Sequence, residues 1–146
     1  MFPSHDRLGY EYVPGFRYTV AKTKPYKGNR HNPKPFHFYN ILVYMLANYQ
    51  TVISDEGYEA DDMMCMWQTE NTIICSRDKD LRICPGWHYS WECGKQRSIE
   101  PTKTDVLGSL ITKEGTDDVL GYGMKFFYYQ MLVGDTADNI PGLAGS

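Results

Sequence analysis

Short apolar runs alternate with a helical segment in the middle of the chain, and this alternation limits the possible folds more than any other feature. TVIS (51–54) and NTIICS (71–76) have the length and apolar content of strands. EADDMMCMWQ (59–68), between them, has the character of a helix with acids in its first turn. A strand, a helix and a second strand in close succession indicate an α/β fold with a parallel sheet flanked by helices.

Further segments extend this prediction. PFHFYNILVYMLANYQ (35–50) places apolar residues at helical spacing, and VLGYGMKFFYYQMLVG (119–134) is apolar at near-helical spacing. WHYSWECG (87–94) is rich in aromatic residues and predicts another strand. KTKPYKGNRHNPKP (22–35) carries four prolines and glycines among polar residues, which predicts a loop.

Composition narrows the function classes. The 146 residues are 42% hydrophobic and 23% charged, which is ordinary for one globular domain and argues against disorder throughout. No apolar run reaches the length of a membrane span, and the N-terminus lacks the pattern of a signal peptide, so we predict no membrane association and a cytoplasmic location. The four cysteines form no C-x-x-C pair, which favours reduced thiols over a zinc site. Walker, dinucleotide-binding, hydrolase and zinc-protease motifs are absent.

The formal net charge of −3 conceals a strong polarity along the chain. Residues 12–54 contain no acid, whereas residues 55–80 contain eight acids and two basic residues. The basic side chains of the first segment are Arg17, Lys22, Lys24, Lys27, Arg30 and Lys34. A basic segment followed by an acidic one suits a polyanion and a metal, although two solvated faces of opposite sign would give the same pattern.

Carboxylates cluster at three predicted element boundaries. They are Glu59, Asp61 and Asp62 after TVIS, Asp78 and Asp80 after NTIICS, and Asp135 and Asp138 in a glycine- and proline-bounded turn. Acids at a helix start are also favoured by the macrodipole, and aspartates are common in turns, so each group has a structural alternative. Sites in open α/β sheets form at the carboxyl ends of strands.

So many like charges in one place would repel one another unless a cation neutralised them. Carboxylate oxygens favour Mg²⁺ or Mn²⁺ over zinc, and two such ions can stabilise both the attacking and the leaving oxygen of a phosphodiester. With a basic loop to hold phosphates, the pattern predicts metal-assisted phosphodiester hydrolysis.

Four motifs in order then resemble the 5′-nuclease family, which includes phage 5′→3′ exonucleases, the 5′-nuclease domain of bacterial DNA polymerase I and flap endonucleases. The motifs are PYKGNR (25–30), GYEADD (57–62), SRDKD (76–80) and GDTADNIPG (134–142). The resemblance covers the chain from about Phe16 onwards. It implies a PIN-like parallel sheet, a helical arch segment, and the start of a helix-three-turn-helix element that binds DNA.

The resemblance also implies roles for individual residues. The ligands of the two-metal cluster would be Glu59, Asp61, Asp62, Asp78, Asp80, Asp135 and Asp138. Lys27 and Arg30 would contact the scissile phosphate as catalytic residues, and Tyr26 would stack on a base. The full DNA-binding set would be Arg17, Lys22, Lys24, Tyr26, Lys27, Arg30, Lys34, Asn139 and Gly142.

The implied cofactors are two Mg²⁺ or Mn²⁺ ions, with K⁺ at the helix-three-turn-helix element if that element is complete. The implied partners are DNA with 5′ ends or flaps and RNA primer strands, in replication or repair, with the protein as a monomer. A phage origin is consistent with this, by analogy with the family alone.

The chain departs from the family pattern at both ends. We find no apolar strand with an early metal-binding aspartate before Phe16, and the second half of the DNA-gripping motif is not seen after residue 142. We therefore predict a PIN-like catalytic domain over residues 1–133 that lacks its usual first strand, and a truncated helix-three-turn-helix element over residues 134–146. Loss of the strand would weaken metal binding and expose a sheet edge.

Three functions remain open at this point. The first is a structure-selective 5′ nuclease that acts by metal-ion catalysis. The second is an inactive or split-gene DNA-binding fragment of such an enzyme. The third is a PIN-type ribonuclease, although such proteins generally lack the Y-K-x-x-R and G-D-x-x-D-N-I-P-G motifs.

Overall fold

The computed structural model describes residues 15–22, 25–26, 33–54, 57–112, 119–135 and 140–143. They belong to two units, Met1–Ala60 and Asp61–Ser146. The sequence-based boundary at residue 133 divides the chain differently and stays a prediction.

Two helices lie in the first unit. Helix α1 (Arg17–Val20) is a single turn, and α2 (Phe38–Asn48) runs through the segment for which the apolar spacing predicts a helix. Helix α2 contains no glycine or proline, and it ends where Tyr49 becomes extended. Neither helix has a fully buried residue, so most of the apolar side chains of α2 are exposed.

The prediction of a strand at TVIS (51–54) is wrong. Residues 51–54 are described and belong to no strand, and Val52 and Ile53 are both exposed. The Thr51 hydroxyl instead donates a hydrogen bond to the Met45 carbonyl at the end of α2, at 3.0 Å. A short apolar run becomes a strand only when a partner satisfies its backbone, and here the run follows the helix terminus as irregular chain.

The second unit is built on a three-stranded sheet. Its strands are β1 (Ile73–Cys75), β2 (Gly86–Ser90) and β3 (Ile99–Thr104), in the order β1-β2-β3. β1 and β2 confirm the strands predicted at NTIICS and WHYSWECG. β2 pairs parallel with β1 and antiparallel with β3, so the sheet is mixed rather than wholly parallel.

The connection from β1 to β2 is short. It contains one 3-10 helix (Asp80–Ile83), which turns the chain back so that β2 can run parallel to β1. Helix α3 (Ala60–Met66) precedes β1 and confirms the helix predicted there, with Asp61 and Asp62 in its first turn.

The remaining elements follow the sheet. β4 (Leu110–Thr112) and β5 (Val119–Gly121) form an antiparallel pair, which the sequence did not predict. Helix α4 (Gly123–Val133) then leads directly into β6 (Gly134–Asp135), which pairs antiparallel with β7 (Ile140–Pro141). The helical prediction for residues 119–134 therefore holds only from residue 123 onwards.

The start of α4 is held by the loop before β4. Met124 and Lys125 donate their backbone N–H groups to the carbonyls of Val106 and Leu107, at 2.9 and 3.0 Å. The first turn of a helix has no intrahelical partners for these donors, so the loop satisfies them.

The apolar core of the described residues is small. Its buried side chains are Met63, Ile74, Leu81, Tyr122 and Phe126. They come from α3, β1, the 3-10 helix and the start of α4, and two of these elements carry predicted metal ligands, Asp61 and Asp62 in α3 and Asp80 in the 3-10 helix. The Arg82 guanidinium lies over the Phe126 ring, 5.2 Å from its centroid, and extends this cluster to the surface.

The cysteines differ from their prediction. Cys65 in α3 and Cys84 after the 3-10 helix form a disulfide, with their Cα atoms 5.7 Å apart, so the prediction of reduced thiols is wrong for this pair. Cys75 and Cys93 are free and exposed. Spacing along the chain does not reveal the pair, because the core brings α3 and the 3-10 helix together.

The α/β class is confirmed by the mixed sheet and its helices. The PIN-like topology and the helix-three-turn-helix element stay predictions. Among the helices of the described segments, none has the length and apolar character needed to cross a bilayer.

Replacing Phe126 with alanine should lower the free energy of unfolding by about 3 to 5 kcal/mol, because it removes a buried ring from the centre of this core. Phe127, the next residue on α4, is 37% exposed, so Phe127→Ala should cost about 1 kcal/mol or less. Urea unfolding followed by circular dichroism measures both. Equal losses would show that the core does not lie where the structure has it.

Candidate functional site

The loop after β1 carries two of the predicted metal ligands. The Ser76 hydroxyl accepts a hydrogen bond from the Asp78 backbone N–H, and Asp78 Oδ1 accepts one from the Asp80 backbone N–H, both at 3.0 Å. This Asx-type turn starts the 3-10 helix. Asp78 therefore acts as a turn residue, which is the structural alternative that the sequence left open. Its hydrogen bond to the Asp80 backbone fixes the position of Asp80 in the loop after β1.

Asp80 and Asp135 meet at one lysine. Lys79 Nζ forms an ion pair with Asp135 Oδ2 and lies 4.0 Å from Asp80 Oδ1. Asp135 is only 8% exposed, whereas the side chains of Lys79 and Asp80 are each 42% exposed. A buried carboxylate is costly unless a cation or several donors compensate it, so Lys79 stabilises Asp135 where it lies.

A glutamine on α4 completes this group. Gln130 Nε2 donates a 2.6 Å hydrogen bond to Asp80 Oδ1. The bond links the 3-10 helix to α4 and orients the Asp80 carboxylate. We define the Asp80–Asp135 cluster as Asp80, Asp135, Lys79 and Gln130. Sequence reasoning missed Lys79 and Gln130 as members, although Lys79 stands between two predicted ligands in D-K-D.

The backbone at the end of α4 determines where Asp135 lies. Gly134 has φ +80°, and a Cβ there would lie 2.6 Å from the Ile140 carbonyl oxygen and would also contact the Gly142 nitrogen. Only glycine allows this close turn without strain. The pairing of Asp135 with Ile140 then turns the carboxylate away from solvent, towards the 3-10 helix.

The acids near α3 occupy different surroundings. Asp61 is exposed and Asp62 half-buried in the first turn of the helix, where the macrodipole favours them. Glu59 accepts hydrogen bonds from the Tyr26 hydroxyl at both carboxylate oxygens, at 3.0 and 2.9 Å. The Tyr26 ring meets Tyr18 edge-on at 5.2 Å, so Tyr26 contacts two side chains of the same unit.

Within the described part of the chain, the structure gathers no group of three or more His, Cys, Asp and Glu side chains that could hold a metal ion. It brings Asp80 and Asp135 to one cation and leaves Asp61 and Asp62 out of that group. Asp80 and Asp135 nevertheless provide carboxylate oxygens, which are the ligands that hard cations prefer. Both carboxylates already lie beside one ammonium group, that of Lys79.

The predicted DNA-binding residues are only partly described. Arg17 lies over the Phe16 ring at 4.8 Å, Lys34 over the Phe38 ring at 4.7 Å, and Lys22 is exposed. Gly142 is half-buried beside the β6–β7 pair. The predicted site residues that lie outside the described residues are Lys24, Lys27, Arg30, Asp138 and Asn139.

A second polar network supports the loop after β1. Arg77 Nη2 donates to Gln96 Oε1 at 2.9 Å and to the Cys93 carbonyl at 3.2 Å, and Gln96 Nε2 donates back to the Arg77 carbonyl at 3.0 Å. These bonds tie the loop that carries Asp78 to the turn after β2, so they restrict its motion.

Two basic groups have shifted pKa values. Burial lowers the pKa of the Arg82 guanidinium, and electrostatic interaction with Tyr122, Asp80 and Asp78 opposes that shift. Burial also lowers the pKa of His88, opposed by its 2.7 Å hydrogen bond to the Cys84 carbonyl and assisted by the Arg82 charge.

Comparison of the chain with protein-family models, with curated proteins and with solved structures found no match.

The buried imidazole of His88 predicts a pH dependence of stability. Its folded-state pKa lies below the ordinary 6.5, so the unfolded chain binds a proton first as the pH falls, and stability is lost below about pH 6.5. His88→Gln keeps a donor for the Cys84 carbonyl and should show a smaller drop in Tm between about pH 7.5 and pH 5.5 than the unaltered chain.

The control for this measurement is His37→Gln, because His37 is exposed. It should retain the full drop in Tm over the same interval, since the carboxylate contributions are common to all three proteins. An undiminished drop in the His88 variant would contradict the assignment.

Proposed function

We propose that the chain is a metal-dependent 5′ nuclease that hydrolyses DNA phosphodiesters at 5′ ends or flaps. One observation carries the proposal most directly. Asp80 and Asp135 belong to two widely separated motifs, SRDKD and GDTADNIPG, and they converge on a single ammonium group. A cation stabilises two carboxylates that lie close together, one of them buried, and carboxylates from distant motifs brought to one cation position support a metal-dependent nuclease.

The carboxylates proposed to hold the ions are those of the acid motifs, with Asp80 and Asp135 as the pair that meets. Bound Mg²⁺ or Mn²⁺ would activate a water for in-line attack and stabilise charge on the phosphate. The chain itself supplies the orientation: Gln130 holds Asp80 through a 2.6 Å hydrogen bond, and the turn at Gly134 directs Asp135 inward. Glu59, Asp61 and Asp62 are proposed as further ligands on the motif resemblance.

The basic segment is proposed to bind the DNA backbone. Between Tyr12 and Ser54 every charged side chain is basic, and phosphate contacts supply most of the affinity of proteins that do not read sequence. Lys27 and Arg30 are proposed to stabilise charge on the scissile phosphate, as their Y-K-x-x-R motif suggests. The exposed side chain of Lys22 is proposed to contact the DNA backbone further along the bound DNA strand.

The finer features of the proposal follow from the resemblance. They comprise the PIN-like topology, a helix-three-turn-helix element with K⁺, 5′-phosphorylated products, RNA primer strands as further substrates, action as a monomer, and a role in cytoplasmic replication or repair. The motifs GYEADD and GDTADNIPG support each of these through the family and not independently.

The test is cleavage of a 5′-labelled flapped DNA duplex in Mg²⁺ or Mn²⁺. We expect 5′-phosphorylated products, and a loss of rate of about 100-fold or more in Asp80→Asn and in Asp135→Asn. Both changes preserve side-chain shape and remove one negative charge. Glu100→Gln on β3 removes an exposed charge in the same unit and should cleave normally.

Other results would select the alternatives. A folded chain that binds the flap without cutting it would support the DNA-binding fragment. Faster cutting of single-stranded RNA than of the flap would support a PIN-type ribonuclease. Cutting by both aspartate variants at the rate of the Glu100 control would overturn the assignment of this pair.

A further inference from the structure

We infer that Lys79 is a built-in counter-cation, which occupies the metal position at Asp80 and Asp135 in the metal-free protein and competes with a divalent ion for these carboxylates. The inference rests on the proposed function, because it concerns the same site. It assigns Lys79 a positioning role that acts through the two aspartates.

The first step is the charge of Asp135. This carboxylate is 8% exposed, so water reaches the Asp135 end of its ion pair with Lys79 poorly. Breaking such a pair removes the counter-charge from a buried carboxylate, which is destabilising. In the absence of a metal, Lys79 therefore keeps the turn after α4 in its folded position.

The second step is that one ammonium serves two predicted ligands. Lys79 Nζ contacts Asp135 Oδ2 and lies 4.0 Å from Asp80 Oδ1. A divalent ion bound by both carboxylates would need the space that the Lys79 ammonium occupies. An ammonium and a divalent ion that lie beside the same two carboxylates would also repel one another. The ammonium and the ion therefore cannot both occupy the position.

The third step is that Lys79 can leave. Its backbone is held at the start of the 3-10 helix, where its carbonyl accepts hydrogen bonds from the Arg82 backbone N–H at 3.1 Å and from Arg82 Nε at 3.2 Å. Its side chain is 42% exposed and flexible, so the ammonium can rotate into solvent without movement of the backbone. The exchange of cations then needs only a change of rotamer.

Two consequences follow, with opposite signs. Removal of the Lys79 charge should tighten binding of a divalent ion, because the competing cation is gone. It should also destabilise the metal-free protein, because the buried Asp135 carboxylate loses its ion pair with Lys79. A lysine that only stabilised the fold through its ion pair, away from any metal position, would produce the second effect without the first.

The experiment measures the Mn²⁺ dissociation constant from the electron paramagnetic resonance signal of free Mn²⁺, together with Tm in EDTA. Lys79→Met should bind Mn²⁺ about tenfold more tightly than the unaltered chain and should melt at a lower temperature in EDTA. Lys79→Arg keeps the charge and should restore the weaker binding. Lys103→Met removes an exposed lysine from β3 and controls for the general loss of charge.

Equal Mn²⁺ affinities for the Lys79 and Lys103 variants, or weaker binding by Lys79→Met, would overturn this inference while leaving the proposed nuclease intact. No Mn²⁺ binding by any variant would overturn both. Should Lys79→Met fail to fold in EDTA, Lys79→Gln takes its place, because the amide can still donate to Asp135 without a charge, and the same comparison of affinities decides.

Discussion

The ion pair between Lys79 and Asp135 is the interaction on which the arrangement of the second unit depends. It joins the short crossover after β1 to the turn that ends α4, and it does so at a carboxylate that is almost fully buried. A charge in that position is stabilised by its ion-pair partner. The 3-10 helix, in which Leu81 is buried, packs against α4 and brings the two segments close enough for the pair to form.

The sheet determines where this crossover lies. β2 is the central strand, parallel to β1 on one side and antiparallel to β3 on the other, so the chain after β1 must return to the starting end of the sheet within the ten residues 76–85. One 3-10 turn accomplishes this, and it orients Asp80 towards α4 while Leu81 is buried. The Cys65–Cys84 disulfide adds a covalent link between α3 and the end of the same turn.

The proposed function and the proposed role of Lys79 describe two states of one cluster. Carboxylates gathered to bind cations repel one another when the cations are absent, and an enzyme of this kind needs some compensation to remain folded. In the proposed metal-binding motif, Lys79 would offer that compensation at the expense of metal affinity. Gln130 contributes without charge, because its amide orients the Asp80 carboxylate.

Local patterns in the sequence determined the helices α2 and α3, the strands β1 and β2, and the positions of the acid motifs, because periodicity and composition act over a few neighbouring residues. The tertiary structure alone decided the irregular path of residues 51–54, the antiparallel β3, the Cys65–Cys84 pair, and the meeting of Lys79 and Gln130 with the two aspartates. Strand pairing, disulfides and ion pairs join residues that are far apart in the chain, so they depend on how the core brings those residues together.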